Sequence, residues 1–303
     1  MTSKVIPYHI VFLLIFTIGC GESNGRFITG SDNQQVDEEA RKPGPPVTYN
    51  YKKGDSYSLD ITVHPSNSVL SNAPAIVFFF GGGWEFGSIN QFREHAKYFA
   101  QRGVTALLVD YRVANRHKST PFESVDDAYD ALRFIFRNSS QLGIDNNKII
   151  VSGGSAGGHL ALMSSFLISK KSEYKPAALV VFNPVVDTGP EGYGYDIIGE
   201  NYKDISPIDN VPTNPPPVIN FQGTSDNFIS VEEAERFCQE VVQNNGYCEL
   251  KLYEGLGHGF WNYNRSIEYF IQTVSEAEQF LFQQNVIDDE SNIHEWMSNK
   301  EQE

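Results

Sequence analysis

From about residue 47 onward, short apolar runs alternate with longer segments of helical periodicity. The runs have the length of strands and are rich in β-branched and aromatic residues; they cover residues 59–64, 75–80, 104–110, 148–152, 178–183, 218–222 and 248–253. Several are apolar nearly throughout, which is typical of strands covered on both faces. Segments with helical spacing lie between them, at residues 91–101, 122–142, 156–169, 231–244 and 265–284. This alternation predicts an α/β fold with a mostly parallel central sheet and helices on both faces.

The charge balance of the chain limits what it can bind. Its 303 residues include 23 Lys and Arg against 38 Asp and Glu, which gives a formal net charge of −15. Because the chain has no basic stripe to meet a phosphate backbone, we expect no nucleic-acid partner. Hydrophobic residues make up 40% of the chain, enough for a buried core, and the length suits one large domain. These features predict an acidic globular protein that acts on a small or neutral substrate.

Residues 1–19 have the pattern of an export signal. Lys4 precedes an apolar run at residues 11–18, which is far shorter than a membrane-spanning helix requires. The Gly19-Cys20 pair after it resembles the cleavage box of bacterial lipoproteins, in which the cysteine becomes the lipid-bearing first residue. We therefore expect Cys20 to carry lipid and the protein to occupy the periplasm or the outer-membrane or cell surface of a bacterium. An ordinary cleaved signal that leaves Cys20 unmodified is the alternative.

Three further segments complete the expected organisation of the chain. Residues 20–46 are rich in Gly, Ser, Asn, Asp and Pro, which predicts a flexible tether ahead of a folded domain at residues 47–285. Within that domain, residues 185–217 carry several prolines and three tyrosines without clear periodicity, and a loop of this length is usually functional or mobile. Residues 286–303 are acidic and polar, and we expect them to fray.

The two remaining cysteines, Cys238 and Cys248, are expected to pair. Outside the cytoplasm a pair of cysteines is more often bridged than free, so we predict a disulfide that joins a helix to the strand after it. The chain has no CxxC motif and no paired histidines at metal-ligand spacing, so we expect no metal site.

The strongest functional signal is the pentapeptide GGSAG at residues 153–157, which fits the pattern G-x-S-x-G. A predicted strand precedes it and a predicted helix follows it, and this setting is the one that a nucleophile elbow requires. The flanking glycines remove Cβ atoms that would crowd the tight turn, and Ser155 would stand near a helix N-terminus that favours negative charge. A phosphate-binding loop is disfavoured because no GK[ST] follows. A glycine-rich turn without chemistry is the remaining alternative.

A serine nucleophile requires a base, and His258 and Asp226 are the candidates for a base and its orienting acid. His258 lies in a loop between the last predicted strand and the last predicted helix, and Asp226 lies just past the end of another strand. The chain order Ser155, Asp226, His258 is the order typical of a nucleophile elbow of this kind. Alternatives exist for both roles. His159 is the rival base, although its place in the helix after Ser155 favours bracing of the elbow, and Asp187 and Asp209 are rival acids.

An oxyanion site is predicted at the glycines that follow the strand at residues 75–80. Glycines allow backbone N–H groups to approach a carbonyl oxygen as it becomes negative, and each such donor contributes about 100- to 1000-fold in rate. We expect the donors to be the N–H groups of Gly82, Gly83 and Ala156. A flexible glycine turn is the alternative, but it does not explain the position after this strand.

Taken together, these motifs resemble the α/β-hydrolase superfamily, and most closely its bacterial esterases of the hormone-sensitive-lipase and feruloyl or acetyl-xylan esterase type. The matching segments span most of residues 59–262; they are FFFGGGW at 78–84, VDYR at 109–112, SGGSAGGH at 152–159, QGTSD at 222–226 and GHGF at 257–260. One departure is Phe80, which stands where the family often has a histidine thought to brace the oxyanion loop. We see no cap domain like a lipase lid.

The resemblance implies a carboxylic ester hydrolase that works through an acyl-enzyme on Ser155, with His258 as base and Asp226 as its orienting acid. It implies neither a metal nor an organic cofactor. The expected substrate is a small ester or an esterified polysaccharide carrying acetyl or feruloyl groups, and the expected contact with a membrane is only through the N-terminal lipid. An amidase or peptidase of the same fold and an inactive, surface-tethered glycan-binding module are the alternatives.

Aromatic residues near the motifs are candidates for substrate contact. Trp84, Phe260 and Trp261, with the tyrosines of residues 185–217, are expected to line an aromatic pocket near the elbow. Aromatic faces suit sugar rings or an aromatic acyl group, although most aromatic side chains in any fold belong to the core.

Overall fold

The computed structural model describes residues 43–68, 72–171, 174–288 and 291–300. The expected export signal, Cys20 and the tether up to residue 42 lie outside the described residues. Within the described ranges, no helix is both long enough and apolar enough to span a membrane.

The described residues form one eight-stranded sheet with the strand order β1-β2-β4-β3-β5-β6-β7-β8. The strands are β1 Val47–Lys53, β2 Ser58–His64, β3 Ala73–Phe79, β4 Thr105–Val109, β5 Ile144–Gly154, β6 Ala178–Phe182, β7 Val218–Gly223 and β8 Cys248–Tyr253. The pairs β1–β2 and β2–β4 are antiparallel, and every pair from β4 to β8 is parallel. The carboxyl ends of β3 and of β5 to β8 therefore meet at one edge of the sheet.

Helices cover both faces of this sheet. They are α1 Arg93–Gln101, α2 Ala114–His117, α3 Pro121–Arg137, α4 Ser139–Leu142, α5 Ala156–Lys171, α6 Tyr195–Ile198, α7 Pro207–Asn210, α8 Val231–Gln243, α9 Ile267–Gln283 and α10 Ile293–Lys300. Short 3-10 segments occur at Ile89–Phe92 and Gly199–Asp204. The long helices begin where their caps predict: Thr120 with Glu123 forms a capping box at α3, and Ser230 with Glu233 forms one at α8.

The core divides into two layers because side chains alternate along the buried strands. On β3, Val77 and Phe79 contribute to the layer shared with α3, α5 and α8. Ile76 and Phe78 face the opposite way and join the layer shared with α1, α9 and α10. The predicted parallel sheet with helices on both faces is confirmed, and no large cap domain occurs in the described part of the chain.

A disulfide joins Cys238 of α8 to Cys248 at the start of β8, with the two Cα atoms 5.3 Å apart. It links the helix to the strand that follows it, as the sequence predicts. Because the loop that follows β7 leads into α8 and the loop that carries His258 follows β8, the bridge ties together the elements that support these two loops.

The expectation of a frayed C-terminal tail is wrong for residues 286–288 and 291–300. Val286 and Ile287 are buried, and α10 buries Ile293 and Met297, which lie four residues apart on one helical face. The acidic composition of the segment hides this short amphipathic pattern. Residues 185–217 likewise contain α6, α7 and a 3-10 segment instead of one irregular loop.

Candidate active site

Ser155 lies between the end of β5 and the start of α5, in the strand–turn–helix setting that the sequence predicts. Its backbone has φ 55°, an uncommon conformation for a residue with a side chain, and its N–H donates to the carbonyl oxygen of Phe182 at 2.9 Å. A Cβ atom on Gly157 would collide with the carbonyl oxygens of Phe79 and Phe80, so this position requires glycine. The turn therefore presents Ser155 at the carboxyl edge of the sheet.

Asp226 and His258 meet at the same edge. His258 Nδ1 lies 2.8 Å from Asp226 Oδ2, and the other carboxylate oxygen accepts the N–H groups of Phe228 at 2.8 Å and Ile229 at 3.2 Å. Burial favours the neutral carboxyl, but the hydrogen bonds from His258 and from the two backbone N–H groups outweigh it and lower the pKa of Asp226. An ionised Asp226 keeps the proton of a neutral His258 on Nδ1, which leaves Nε2 as a hydrogen-bond acceptor.

Ser155 and His258 line one cavity of about 710 Å³. Among the described residues, no hydrogen bond joins the Ser155 hydroxyl to His258 Nε2. The group beside Nε2 is instead Nδ2 of Asn183, at 3.4 Å. Catalytic hydrogen bonds are often long or poorly aligned without substrate and tighten when substrate binds, so a nucleophile–base pair does not require this bond in the substrate-free protein.

The glycine loop after β3 packs against the serine turn. A Cβ atom on Gly81 would lie 3.2 Å from Ser155 Cβ, and the Gly81 N–H donates to Gln91 Oε1 at 2.6 Å. Gly82 and Gly83 have φ of 135° and 61° and line the cavity beside Ser155. No acceptor within the described ranges takes up the N–H groups of Gly82, Gly83 or Ala156. The three predicted donors are therefore unpaired among the described residues, and two of them, on Gly82 and Gly83, belong to residues that line the cavity with Ser155.

Comparisons with known proteins agree with this geometry. A family model described as "alpha/beta hydrolase fold" matches residues 76–209. Esterase LipC of Mycobacterium tuberculosis is 30% identical over 221 residues, which are 62% of this chain and 53% of that protein. Native esterase Est2 of Thermogutta terrifontis is 33% identical with a TM-score of 0.75, over 82% of this chain and 95% of that one. Propionate-bound Est2 is also 33% identical with a TM-score of 0.74, over 81% and 97%.

The chain belongs to the α/β-hydrolase family. Within this family its similarity is to bacterial esterases of the hormone-sensitive-lipase type, as the sequence predicts. The chain spans about half the length of LipC but almost all of Est2.

The family's frequent histidine ahead of the glycines is replaced here by Phe80, and the structure shows how the loop is held. The Phe80 ring stacks on Tyr111 with centroids 4.2 Å apart, and the Tyr111 hydroxyl donates to the Phe80 carbonyl oxygen at 2.6 Å. Further along, the carbonyl oxygen of Gly82 accepts the N–H groups of Glu85 and Phe86, both at 3.1 Å. Ring stacking and backbone hydrogen bonds therefore support the loop in place of a polar histidine.

Of the three aromatic residues predicted to contact substrate, only Trp261 lines the cavity. Trp84 is buried, and its indole N–H donates to His159 Nδ1 at 3.3 Å. Phe260 is buried in the core layer shared with α9, where its ring contacts those of Tyr253 and Tyr269. The prediction is therefore wrong for Trp84 and Phe260, because the sequence does not reveal which way each ring turns.

The rival residues are placed away from the cavity. His159 is buried between Trp84 and the carbonyl oxygen of Ile205, and burial lowers its pKa to about 4. Asp187 and Asp209 line a separate cavity, where Asp187 pairs with Arg236 at 3.1 Å. None of the three side chains has a hydrogen bond or ion pair with Ser155 or His258; the His159 backbone N–H donates to the Ser155 carbonyl oxygen at 3.0 Å, as the first turn of α5 requires.

The rim of the cavity contains residues that the sequence analysis did not single out. Phe86, Ile197 and Phe228 line the cavity and are each more than half exposed, at 56%, 57% and 57%. The Phe228 ring lies edge-on against His258, with centroids 5.0 Å apart. Phe228 follows Asp226 by two residues and Phe86 follows Gly83 by three, so nearness to a motif in sequence was a signal for both rings.

Charged groups at this cavity are few. Glu85 and Asp196 line it on one side, and Arg265 lines it beside His258, whose carbonyl oxygen accepts from Arg265 Nη1 at 2.7 Å. Among the described residues, no three His, Cys, Asp or Glu side chains are grouped so that they could hold a metal ion. The cavity therefore combines three exposed apolar side chains with three charged side chains and with the polar groups of Ser155 and His258.

Proposed function

We propose that this chain is a serine carboxylic ester hydrolase that acts through an acyl-enzyme intermediate. The observation that carries the proposal is the convergence of Ser155, the Asp226–His258 pair and the glycine loop on one cavity at the carboxyl edge of the sheet. The similarity to LipC and Est2, both described as esterases, supports the same activity.

The geometry supports a two-step reaction. Ser155 Oγ attacks the ester carbonyl carbon while its proton passes to His258 Nε2, and the N–H groups of Gly82, Gly83 and Ala156 hold the carbonyl oxygen as it becomes negative. The bond to the alcohol then breaks, and the alcohol leaves with the proton from His258. Water next attacks the acyl group on Ser155, again losing its proton to His258, and the carboxylic acid leaves as Ser155 regains its proton. Asp226 stabilises His258 whenever the ring is charged.

The first test is hydrolysis of p-nitrophenyl acetate and butyrate by residues 21–303, beside the Ser155→Ala variant. We expect fast cleavage that requires Ser155 and that falls as the acyl chain lengthens. Turnover of anilides that rivals that of esters would favour an amidase. A folded protein with no serine-dependent turnover, but with tight glycan binding, would favour the binding module.

For the natural substrate, we propose a short acyl or feruloyl ester of a carbohydrate. The exposed rings of Phe86 and Phe228 flank the cavity, and flat aromatic faces suit a sugar ring or an aromatic acyl group. The propionate-bound structure of Est2 supports a short acyl group. Release of acetate from acetylated xylan, or of ferulate from feruloylated arabinoxylan, at rates near those of the synthetic esters would bear this out. Rapid cleavage of synthetic esters with no release from either polysaccharide would refute it.

We also propose that the protein is exported and anchored by lipid on Cys20, a proposal that rests on the sequence of residues 1–20 alone. Metabolic labelling with a fatty acid tests it. The wild-type chain should incorporate label and Cys20→Ala should not; equal labelling of the two chains would refute the anchor.

A further inference from the structure

Asn183 occupies an unusual position directly after β6. It is fully buried, its backbone has φ 36°, and its N–H donates to the carbonyl oxygen of Phe221 on β7 at 2.7 Å. The residue before it, Phe182, accepts the N–H of Ser155 at 2.9 Å. Asn183 is therefore fixed at the carboxyl edge of the sheet, beside the serine turn, and its side chain extends to the loop after β8.

The orientation of the Asn183 amide follows from its partners. One side-chain atom lies 3.1 Å from the Gly259 N–H and 2.8 Å from the Trp261 indole N–H, and both of these groups can only donate. That atom must therefore be the oxygen, Oδ1, since a side-chain NH2 cannot accept from two N–H groups. The amide nitrogen then lies on the opposite side, 3.4 Å from His258 Nε2.

The two ends of this amide have different consequences for His258. Oδ1 holds the turn immediately after His258 at two points, Gly259 and Trp261, which limits how far the imidazole can move. Nδ2 presents a donor to Nε2. A neutral ring with its proton on Nδ1 can accept from that donor, whereas a doubly protonated ring would place two donors against each other.

We propose that Asn183 is a positioning residue for the base: its oxygen anchors the loop of His258, and its NH2 group favours the neutral ring with Nε2 free to accept. The proposal rests on the proposed esterase function, in which Nε2 takes the proton of Ser155. In substrate-free protein the NH2 group faces Nε2 at the cavity that Ser155 also lines, and the long distance of 3.4 Å makes the contact weak enough to yield to the Ser155 hydroxyl.

Asn183→Asp is the sharpest test because it keeps the shape of the side chain. One carboxylate oxygen can still accept from Gly259 and Trp261, but the atom facing Nε2 becomes an acceptor that stabilises the protonated ring. The other ionisable groups near His258, which are Asp226 on Nδ1 and Arg265, Glu85 and Asp196 along the cavity, remain unchanged. We expect the acid limb of the pH profile of kcat/KM to move upward by about one pH unit or more, with a fall in kcat at neutral pH.

Three further measurements make the result decisive. Asn115→Asp adds the same charge at an exposed site outside the cavity and should leave the profile in place. Asn183→Gly, whose residue tolerates the positive φ, removes the contacts of Oδ1 with the turn after His258 and of Nδ2 with Nε2. This variant should lower kcat more than it raises KM, and the acid limb of its pH profile should not move upward. The His258 ring signal, followed by NMR during a pH titration of wild-type protein and Asn183→Asp, reports protonation without turnover.

The outcomes separate this proposal from the function on which it rests. If the wild-type protein cleaves esters through Ser155 but Asn183→Asp has the pH profile and the NMR titration of the wild type, the role of Asn183 is refuted while the esterase stands. If neither the wild-type protein nor Asn183→Asp cleaves esters, the proposed esterase function is refuted. In that case, a higher midpoint for the His258 ring signal in the NMR titration of Asn183→Asp would still show that Asn183 controls the protonation of His258.

Discussion

The indole N–H of Trp84 donates to Nδ1 of His159 at 3.3 Å, and this bond joins the glycine loop after β3 to α5, the helix that follows Ser155. Because Nδ1 accepts, the ring proton lies on Nε2, which donates to the carbonyl oxygen of Ile205 at 2.6 Å. One buried imidazole thus connects three segments that border the site: the glycine loop, α5 and the stretch between β6 and β7.

Replacing His159 with leucine should therefore destabilise the fold. The substitution leaves the Trp84 N–H and the Ile205 carbonyl oxygen buried without partners, and each orphaned group costs about 1–3 kcal/mol. We expect the free energy of unfolding, measured by urea denaturation, to fall by roughly 2–5 kcal/mol. His294→Leu, at an exposed position of α10, is the control and should change it by less than about 0.5 kcal/mol. An equal, small effect of both variants would contradict the bridging role.

His95 predicts how stability depends on pH. It is fully buried among aromatic rings, and burial lowers its pKa from 6.5 to about 3. Between these two pH values the unfolded chain binds a proton that the folded chain does not. The stability that a neutral, buried His95 provides is therefore complete above pH 6.5 and is lost as the pH falls toward 3. Each pH unit in this window removes about 1.4 kcal/mol.

The variant His95→Leu cannot bind this proton in either state. When the pH is lowered from 7.5 to 4.5, the free energy of unfolding of the wild-type protein should therefore fall by about 2–3 kcal/mol more than that of the variant. Denaturation curves of both proteins at the two pH values measure this difference. If the free energies of unfolding of the two proteins differ by the same amount at both pH values, His95 is protonated as easily in the folded protein as in the unfolded chain, and the prediction fails.

Asp226→Asn tests the orienting acid. An asparagine facing Nδ1 can present its NH2 group, which turns the ring proton to Nε2 and removes the acceptor that Ser155 needs. We expect kcat for p-nitrophenyl acetate to fall roughly 1000- to 10,000-fold. Asp187→Asn is the matched control, since Asp187 pairs with Arg236 in a different cavity, and it should retain turnover within about twofold of the wild type. The reverse pattern would assign the acid to Asp187.

Gln91 tests whether the glycine loop must be held in place. Its Oε1 accepts the Gly81 N–H at 2.6 Å, beside the serine turn. Gln91→Leu removes this acceptor, and a small displacement of the loop should lower kcat about 10- to 100-fold while KM changes little. Gln91→Glu retains an acceptor at the same distance and should recover most of the activity. If the leucine variant is as fast as the wild type, the loop does not depend on this contact.

Much of the site could be predicted from the sequence because its chemistry sits at strand ends. Ser155 and Asp226 follow strands whose apolar runs can be recognised on their own, and His258 follows β8, in which Leu250, Leu252 and Tyr253 mark a strand despite Glu249 and Lys251. Parallel strands bring their carboxyl ends to one edge of the sheet. The glycines around Ser155 carry a local signal for the same reason, since close backbone approach excludes a Cβ atom there.

The remainder depends on packing between segments distant in the chain. The sequence does not distinguish Trp84 from Trp261, but only Trp261 lines the cavity, while Trp84 is buried with its indole N–H on His159. Asn183 gives no sequence signal of its contact with the His258 turn, 75 residues away, since that contact exists only once β6 and β8 share a sheet. α10 was missed because two buried residues in an acidic segment make too weak a pattern.

Covalent labelling with a fluorophosphonate tests the central claim most directly. A reagent of this class reacts with a serine that an adjacent base activates and an oxyanion site assists, so it reports the assembled site without any assumption about substrate. Peptide mapping of the labelled protein should place one equivalent of reagent on Ser155, with loss of all esterase activity, and His258→Gln should not be labelled. Label on another residue, or full esterase activity in a protein whose Ser155 remains unmodified, would contradict the account.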